Sequence, residues 1–216
     1  EGVIEARKRL AGGVGEAVLR YPLGPRLGQC CGGEVQLRFE SVAAADAAAL
    51  GQRLQPRRWP VALFGGGHVG RALVHVLTTL PFQVCWVDSR DEVFPDMAED
   101  ESLALRCEHS DPVQAAVPQL VGGSRVLIMS FSHAEDLDVL AACLTRQRSK
   151  GALPFIGLIG SQTKWASFSH RLLARGFTEQ ELSYVTCPIG VAGISGKQPE
   201  VIAVAVAAQL LQSISV

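Results

Sequence analysis

The chain has 216 residues, 48% of them hydrophobic, with a formal net charge of −1. That is enough for one sizeable α/β core plus a smaller flanking element. The near-neutral balance argues against a basic groove and so against nucleic acid as a partner. No stretch reaches the ~18 uninterrupted apolar residues of a membrane span.

Taken in chain order, residues 1–58 read as a small α+β region: a helix, a Gly-rich turn, a short strand over Val35–Phe39 and a second helix. The chain opens on Glu1 already in a helical pattern (Val3, Ile4, Ala6, Leu10), so this region is expected to be a truncated piece. Pro56 and Pro60 interrupt any continuous helix and mark a linker. Residues 59–216 then alternate short apolar runs with amphipathic helices. Strands are predicted over Val61–Phe64, Gln83–Val87, Leu103–Cys107, Arg125–Met129 and Pro154–Ile159. Helices are predicted over Val69–Leu80, Pro112–Leu120, Leu137–Arg148 and Lys164–Arg175, with a last, buried helix over Val201–Leu211. This alternation implies βαβ units and a Rossmann-type, mostly parallel sheet with flanking helices.

Gly65-Gly66-Gly67-His68-Val69-Gly70 has the G-x-G-x-x-G spacing. The pattern alone is weak, but here it follows an apolar strand and opens an apolar helix. Asp88 stands at the end of the next strand, where the dinucleotide fingerprint places an acid for a ribose hydroxyl. Gly65, Gly67 and Gly70 would allow the tight turn and the close approach of a pyrophosphate, whose charge the helix N-terminus favours. The plainer reading is that these glycines only pack strand against helix. His68, at that helix start, would contact a phosphate or cap the helix.

Six cysteines occur, none spaced Cys-x-x-Cys. Cys85, Cys107 and Cys143 lie in strand or helix patterns and read as small core residues, and reduced thiols fit a cytoplasmic protein. Cys30 and Cys31 differ. They sit in Leu23-Gly24-Pro25-Arg26-Leu27-Gly28-Gln29-Cys30-Cys31-Gly32-Gly33, a fixed turn with a nearby cation. Exposed N–H groups and Arg26 would lower a thiol pKa there, and a thiolate is a soft ligand for a transition metal or a sulfur donor. The alternative is a turn with incidental cysteines. Downstream, Gly160, Ser161 and Lys164 form one candidate anion turn at a strand end, and Gly193, Gly196 and Lys197 a second before the last helix. A P-loop is rejected, because Val191 stands where glycine is required and Gln198 where Ser or Thr is required.

Five segments together resemble the XdhC/CoxI family of xanthine dehydrogenase accessory proteins: residues 23–33, LFGGGHVG (63–70), VDSRDEVFP (87–95), GLIGSQTK (157–164) and CPIGVAGISGKQPEVIA (187–203). The resemblance implies a non-catalytic chaperone. It would bind the molybdenum cofactor (molybdopterin), protect it during sulfuration and help insert it into a xanthine dehydrogenase-type molybdenum hydroxylase. A cysteine desulfurase or sulfurtransferase would be a second partner, and a homo-oligomer is expected. Cys30 or Cys31 would meet the cofactor, with Cys31 the first candidate for a molybdenum contact. Two departures stand out. A further N-terminal segment usual in the family is absent, and its Thr-His-Asp-His-like stretch reads Ser132-His133-Ala134-Glu135. The competing readings are an NAD(P)-dependent oxidoreductase and a nucleotide-sensing Rossmann module. Asp88 would favour NAD over NADP, but no Tyr-x-x-x-Lys pair accompanies it: Pro25 and Pro188 follow Tyr21 and Tyr184 at that spacing.

Overall fold

The computed structural model describes residues 1–13, 15–24, 33–95 and 104–214. They fall into two compact units, Glu1–Pro56 and Arg57–Val216.

In the first unit, helix α1 (Gly2–Gly12) precedes an antiparallel pair, β1 (Ala17–Leu23) and β2 (Gly33–Phe39), in register from Ala17↔Phe39 to Leu23↔Gly33. The strand β1 is not expected from the sequence, because Arg20 and Pro22 break its apolar pattern. Helix α2 (Ala47–Leu54) follows, and Arg53 grips Glu40 through two hydrogen bonds of 2.9 and 2.7 Å. No residue of α1, β1, β2 or α2 is fully buried. The Gln29-Cys30-Cys31-Gly32 turn lies outside the described residues.

The second unit is built on six parallel strands: β3 (Trp59–Phe64), β4 (Phe82–Asp88), β5 (Leu105–His109), β6 (Arg125–Ile128), β7 (Phe155–Leu158) and β8 (Val185–Thr186). Their spatial order is β5-β4-β3-β6-β7-β8. Counted from β3 as the first strand this is 3-2-1-4-5-6, the Rossmann order, with its reversal between β3 and β6. The expected fold class is therefore present.

Alternation along each strand feeds two cores. Val61 and Leu63 face α3 (His68–Leu77) and α7 (Pro199–Gln212), which contribute Leu73, Leu77, Val206 and Leu210. Ala62 and Phe64 face α4 (His133–Lys150) and α5 (Gln162–Ala174), which contribute Leu137, Leu140, Leu144, Phe168 and Leu172. Each such Leu or Phe, once buried, stabilises by about 1.5–3 kcal/mol. A short helix, α6 (Glu179–Leu182), begins in a capping box at Thr178 and Glu181, and Arg148 pairs with Glu181.

The helix expected at Pro112–Leu120 is a 3-10 segment, Val113–Gln119, instead. Pro118 inside it has no N–H for an α-helical bond. Among the described residues, no helix is long and apolar enough to cross a membrane.

Candidate functional site at the sheet's carboxyl edge

Parallel strands deliver every following loop to one edge, and the reversal of order opens a crevice there. The loops after β3 and β6 touch at that point. Gly65 has φ 124°, and a Cβ on it would lie 1.9 Å from the Met129 carbonyl oxygen. Gly70 approaches equally closely, its absent Cβ 2.1 Å from the Gly65 carbonyl. Both glycines are therefore needed for packing. Gly67 is different: it is exposed, and none of the described residues lies within 4 Å of where its Cβ would be. Gly67 is the N-cap of α3, with no side chain bonded to the helix start. His68 beside it is exposed too. The open N–H groups of this ten-residue helix form the part of the loop suited to an anion.

Asp88 turns inward. It is 2% exposed, and Oδ2 accepts from the Gly66 N–H at 2.5 Å. Oδ1 accepts from the Arg90 N–H and Nε, each at 2.9 Å, and Arg90 Nη2 reaches Oδ2 at 3.1 Å. Four donors fill a carboxylate's ordinary capacity, so a ribose hydroxyl would have to displace Arg90. Burial alone would raise the Asp88 pKa. The hydrogen bonds from the Arg90 side chain and from the Arg90 and Gly66 backbone, with the guanidinium charge, outweigh it and hold the pKa below the usual value. Val93 packs over the same turn, its Cγ2 2.5 Å from a Cβ placed on Gly66. As built, Asp88 holds the glycine loop in shape.

Arg90 also lies 4.6 Å from the centroid of the Phe131 ring, which is 70% exposed at the crevice mouth. Ser130, just before it, donates its backbone N–H to Asp136 Oδ1 at 2.7 Å, while its buried Oγ has no partner among the described residues. Ser89 Oγ donates to Glu135 at 2.7 Å, tying the loop after β4 to the start of α4.

Lys164 was expected to face an anion. Instead it lies inward, 12% exposed, donating to Asp136 Oδ2 at 2.7 Å and to the Ile159 carbonyl at 2.8 Å. Gly160 makes room for it, since a Cβ there would meet Lys164 Cδ at 2.6 Å. Ser161 is the N-cap of α5, accepting from the Lys164 N–H at 3.2 Å. Cys187 follows β8; burial raises its thiol pKa, the Lys164 ammonium opposes that and Asp136 adds to it.

Gly193, Gly196 and Lys197 lie in the exposed loop between β8 and α7. The near end of this loop is tied to α7, with the Gly190 N–H donating to Gln209 Oε1 at 2.7 Å and the Val191 N–H to the Ala205 carbonyl. Cys30 and Cys31 lie outside the described residues. Sequence reasoning placed Ser130-Phe131-Ser132-His133 on this edge but missed Asp136 and Arg90. Asp136 reads as an ordinary first-turn acid, and only the fold brings Ser130 and Lys164 to it. Among the described residues, no group of three or more His, Cys, Asp or Glu side chains is placed to hold a metal.

Comparison with known proteins agrees with this architecture. The curated Escherichia coli (strain K12) protein YqeB, itself uncharacterized, is 25% identical over 187 residues, covering 86% of this chain. The chain spans only 30% of that relative's length. A crystal structure described as a xanthine dehydrogenase from Bacillus halodurans superimposes with a TM-score of 0.71 at 18% identity, over 97% of this chain and 78% of that one. That likeness concerns the fold. Residues 61–210 match the family model of the XdhC Rossmann domain, and the chain, with well over half its length so matched, belongs to the XdhC family.

Proposed function

We propose that the chain is an accessory module for a xanthine dehydrogenase-type molybdenum hydroxylase, and that it carries the molybdenum cofactor at the carboxyl edge of its sheet. The observation that supports this most is the arrangement at the crevice. An uncapped helix start at Gly67 and His68 stands across the Gly65–Met129 contact from an unpartnered Ser130 hydroxyl and an exposed Phe131 ring. These groups fit a phosphate monoester joined to a flat heterocycle: N–H groups for the phosphate, a hydroxyl for a polar ring edge and an aromatic face for stacking. They fit a dinucleotide less well, because Asp88 is already saturated.

In this reading Gly67 and His68 bind the phosphate, and Ser130 and Phe131 orient the ring. Asp88, Arg90, Asp136 and Lys164 hold those loops rigid. Cys30 and Cys31, outside the described residues, remain the candidate thiolates for the metal. The cofactor supplies redox chemistry in the client enzyme, while this chain binds and shields it. A sulfurtransferase and the client hydroxylase are its partners.

The test is retention of molybdenum and pterin fluorescence by the full-length protein and by its Cys30→Ala/Cys31→Ala variant, with NAD titrated in parallel by calorimetry. Stoichiometric retention by the wild type and its loss in the variant are expected. Tight NAD binding without retained molybdenum would transfer the site to a dinucleotide-dependent oxidoreductase or sensor.

A further inference from the structure

A second concavity lies away from the carboxyl edge, on the α4 side of the sheet. The crossover from β5 to β6 is the 3-10 segment Val113–Gln119 where a doubly wound fold usually places a full helix. That short crossover leaves a cavity of about 400 Å³ over β4 and β5, within the size range of small-molecule sites. Cys85, Ala116, Leu120 and Val121 contribute to its walls, and Gln83 and Gln119 stand exposed among its lining residues.

One ion pair, Arg106 with Glu108, lines this cavity. Register places Arg106 beside Cys85 and Glu108 beside Val87, on the strand face that also carries Cys85. Glu108 Oε2 accepts from Arg106 Nη2 at 2.9 Å and from the Cys85 thiol at 3.7 Å. Its Oε1 accepts from none of the described residues. Arg106 is 73% exposed and engaged with Glu108, which is 25% exposed. The lining thus offers a half-used carboxylate beside apolar walls, and Arg106, the one cation among the described lining residues, is already paired.

We propose that this cavity binds a small planar heterocycle whose edge carries adjacent N–H donors, an amidine or 2-amino-azine group, with Glu108 as the acceptor. Oε2 is taken by Arg106 and Cys85, and Oε1 keeps two acceptor sites for adjacent N–H donors, each bond strengthened by the carboxylate charge. The apolar walls suit a ring, and an anionic ligand would find no free cation. Burial and the Glu108 charge push the Cys85 thiol up to about 11, so it acts here as a hydrogen-bond donor that fixes Glu108. This site is independent of the crevice at Gly67.

The experiment titrates the whole chain with 2-aminobenzimidazole by calorimetry, with benzoate as the anionic counterpart. Saturable 1:1 binding of the amine, no binding of benzoate and at least a ten-fold loss in Glu108→Gln are expected. Thermal melting verifies that the variant is folded. Mass spectrometry supplies the location: bound ligand slows alkylation of Cys85 at pH 9 and leaves that of Cys107 unchanged. Gly67→Ser, which alters only the crevice, binds the amine as the wild type does. Absence of saturable binding, equal binding by Glu108→Gln, or unprotected Cys85 overturns the assignment.

Discussion

Replacing Lys164 by Met removes one half of a buried ion pair while keeping the side-chain volume close. Asp136 is 3% exposed and Lys164 12%, so solvent screens little of their attraction. After the change, Asp136 keeps the Ser130 N–H on Oδ1 but has no partner on Oδ2. Breaking a buried pair by removing one partner costs about 3–5 kcal/mol. The Ile159 carbonyl also loses its donor from Lys164, worth roughly 1 kcal/mol. For a unit of this size each kcal/mol moves Tm by about 2–4 °C, so the ion-pair loss alone lowers Tm by roughly 6–20 °C. Circular dichroism melts and urea titrations of the wild type, Lys164→Met, Asp136→Asn and the double variant read the effect. In the double variant the remaining amide is neutral, so its loss should be smaller than the sum of the two single losses by ~1–3 kcal/mol. A Lys164→Met shift below 2 °C, or strict additivity across the cycle, would refute the view that this pair holds the crevice loops.

Other consequences follow from the same geometry. Gly65→Ala should destabilise by roughly 1–3 kcal/mol or prevent folding, because the position is left-handed and abuts Met129; chemical denaturation measures it. Gly67→Ser should melt at or slightly above the wild-type temperature, since a side-chain cap is gained in open space. The same variant should weaken anion binding at the helix start. Asp88 has a lowered folded-state pKa, so its stabilisation is complete above the ordinary aspartate value of about 3.9 and is lost as pH falls toward the folded value. Asp88→Asn should therefore show a shallower loss of stability as pH falls below about 4 in urea melts. Cys143 is fully buried in α4, which drives its thiol pKa to about 12. Iodoacetamide at pH 8 should leave it unmodified until the protein unfolds, as peptide mapping would record.

The strands of the Rossmann unit and the glycine turn were legible because their signals are local: apolar runs such as Val61–Phe64, and three glycines where chain reversal needs them. The parallel sheet followed from alternation alone. The roles of single side chains did not. Asp88 was recognised by position, yet its orientation depends on Arg90 two residues later and on the Gly66 N–H across the loop. Lys164 was marked as an anion ligand because it opens a helix, but Asp136, 28 residues earlier, draws it inward. The Pro112–Leu120 prediction failed where Pro118 outweighed an apolar pattern of period 3.6. Strand β8 is only two residues long, too short for any periodicity to register.

That short strand has a consequence for the protein at high concentration. A parallel sheet ends in two rows of unpaired backbone groups, each a template on which another chain could add. One end here is β8, whose two residues offer too little ladder for a stranger to grip. The other is β5, which carries Arg106, Glu108 and His109, so an added strand would have to lie along charged side chains. Among the described residues, both borders of the sheet are therefore poor seeds for fibril growth, one by brevity and the other by charge.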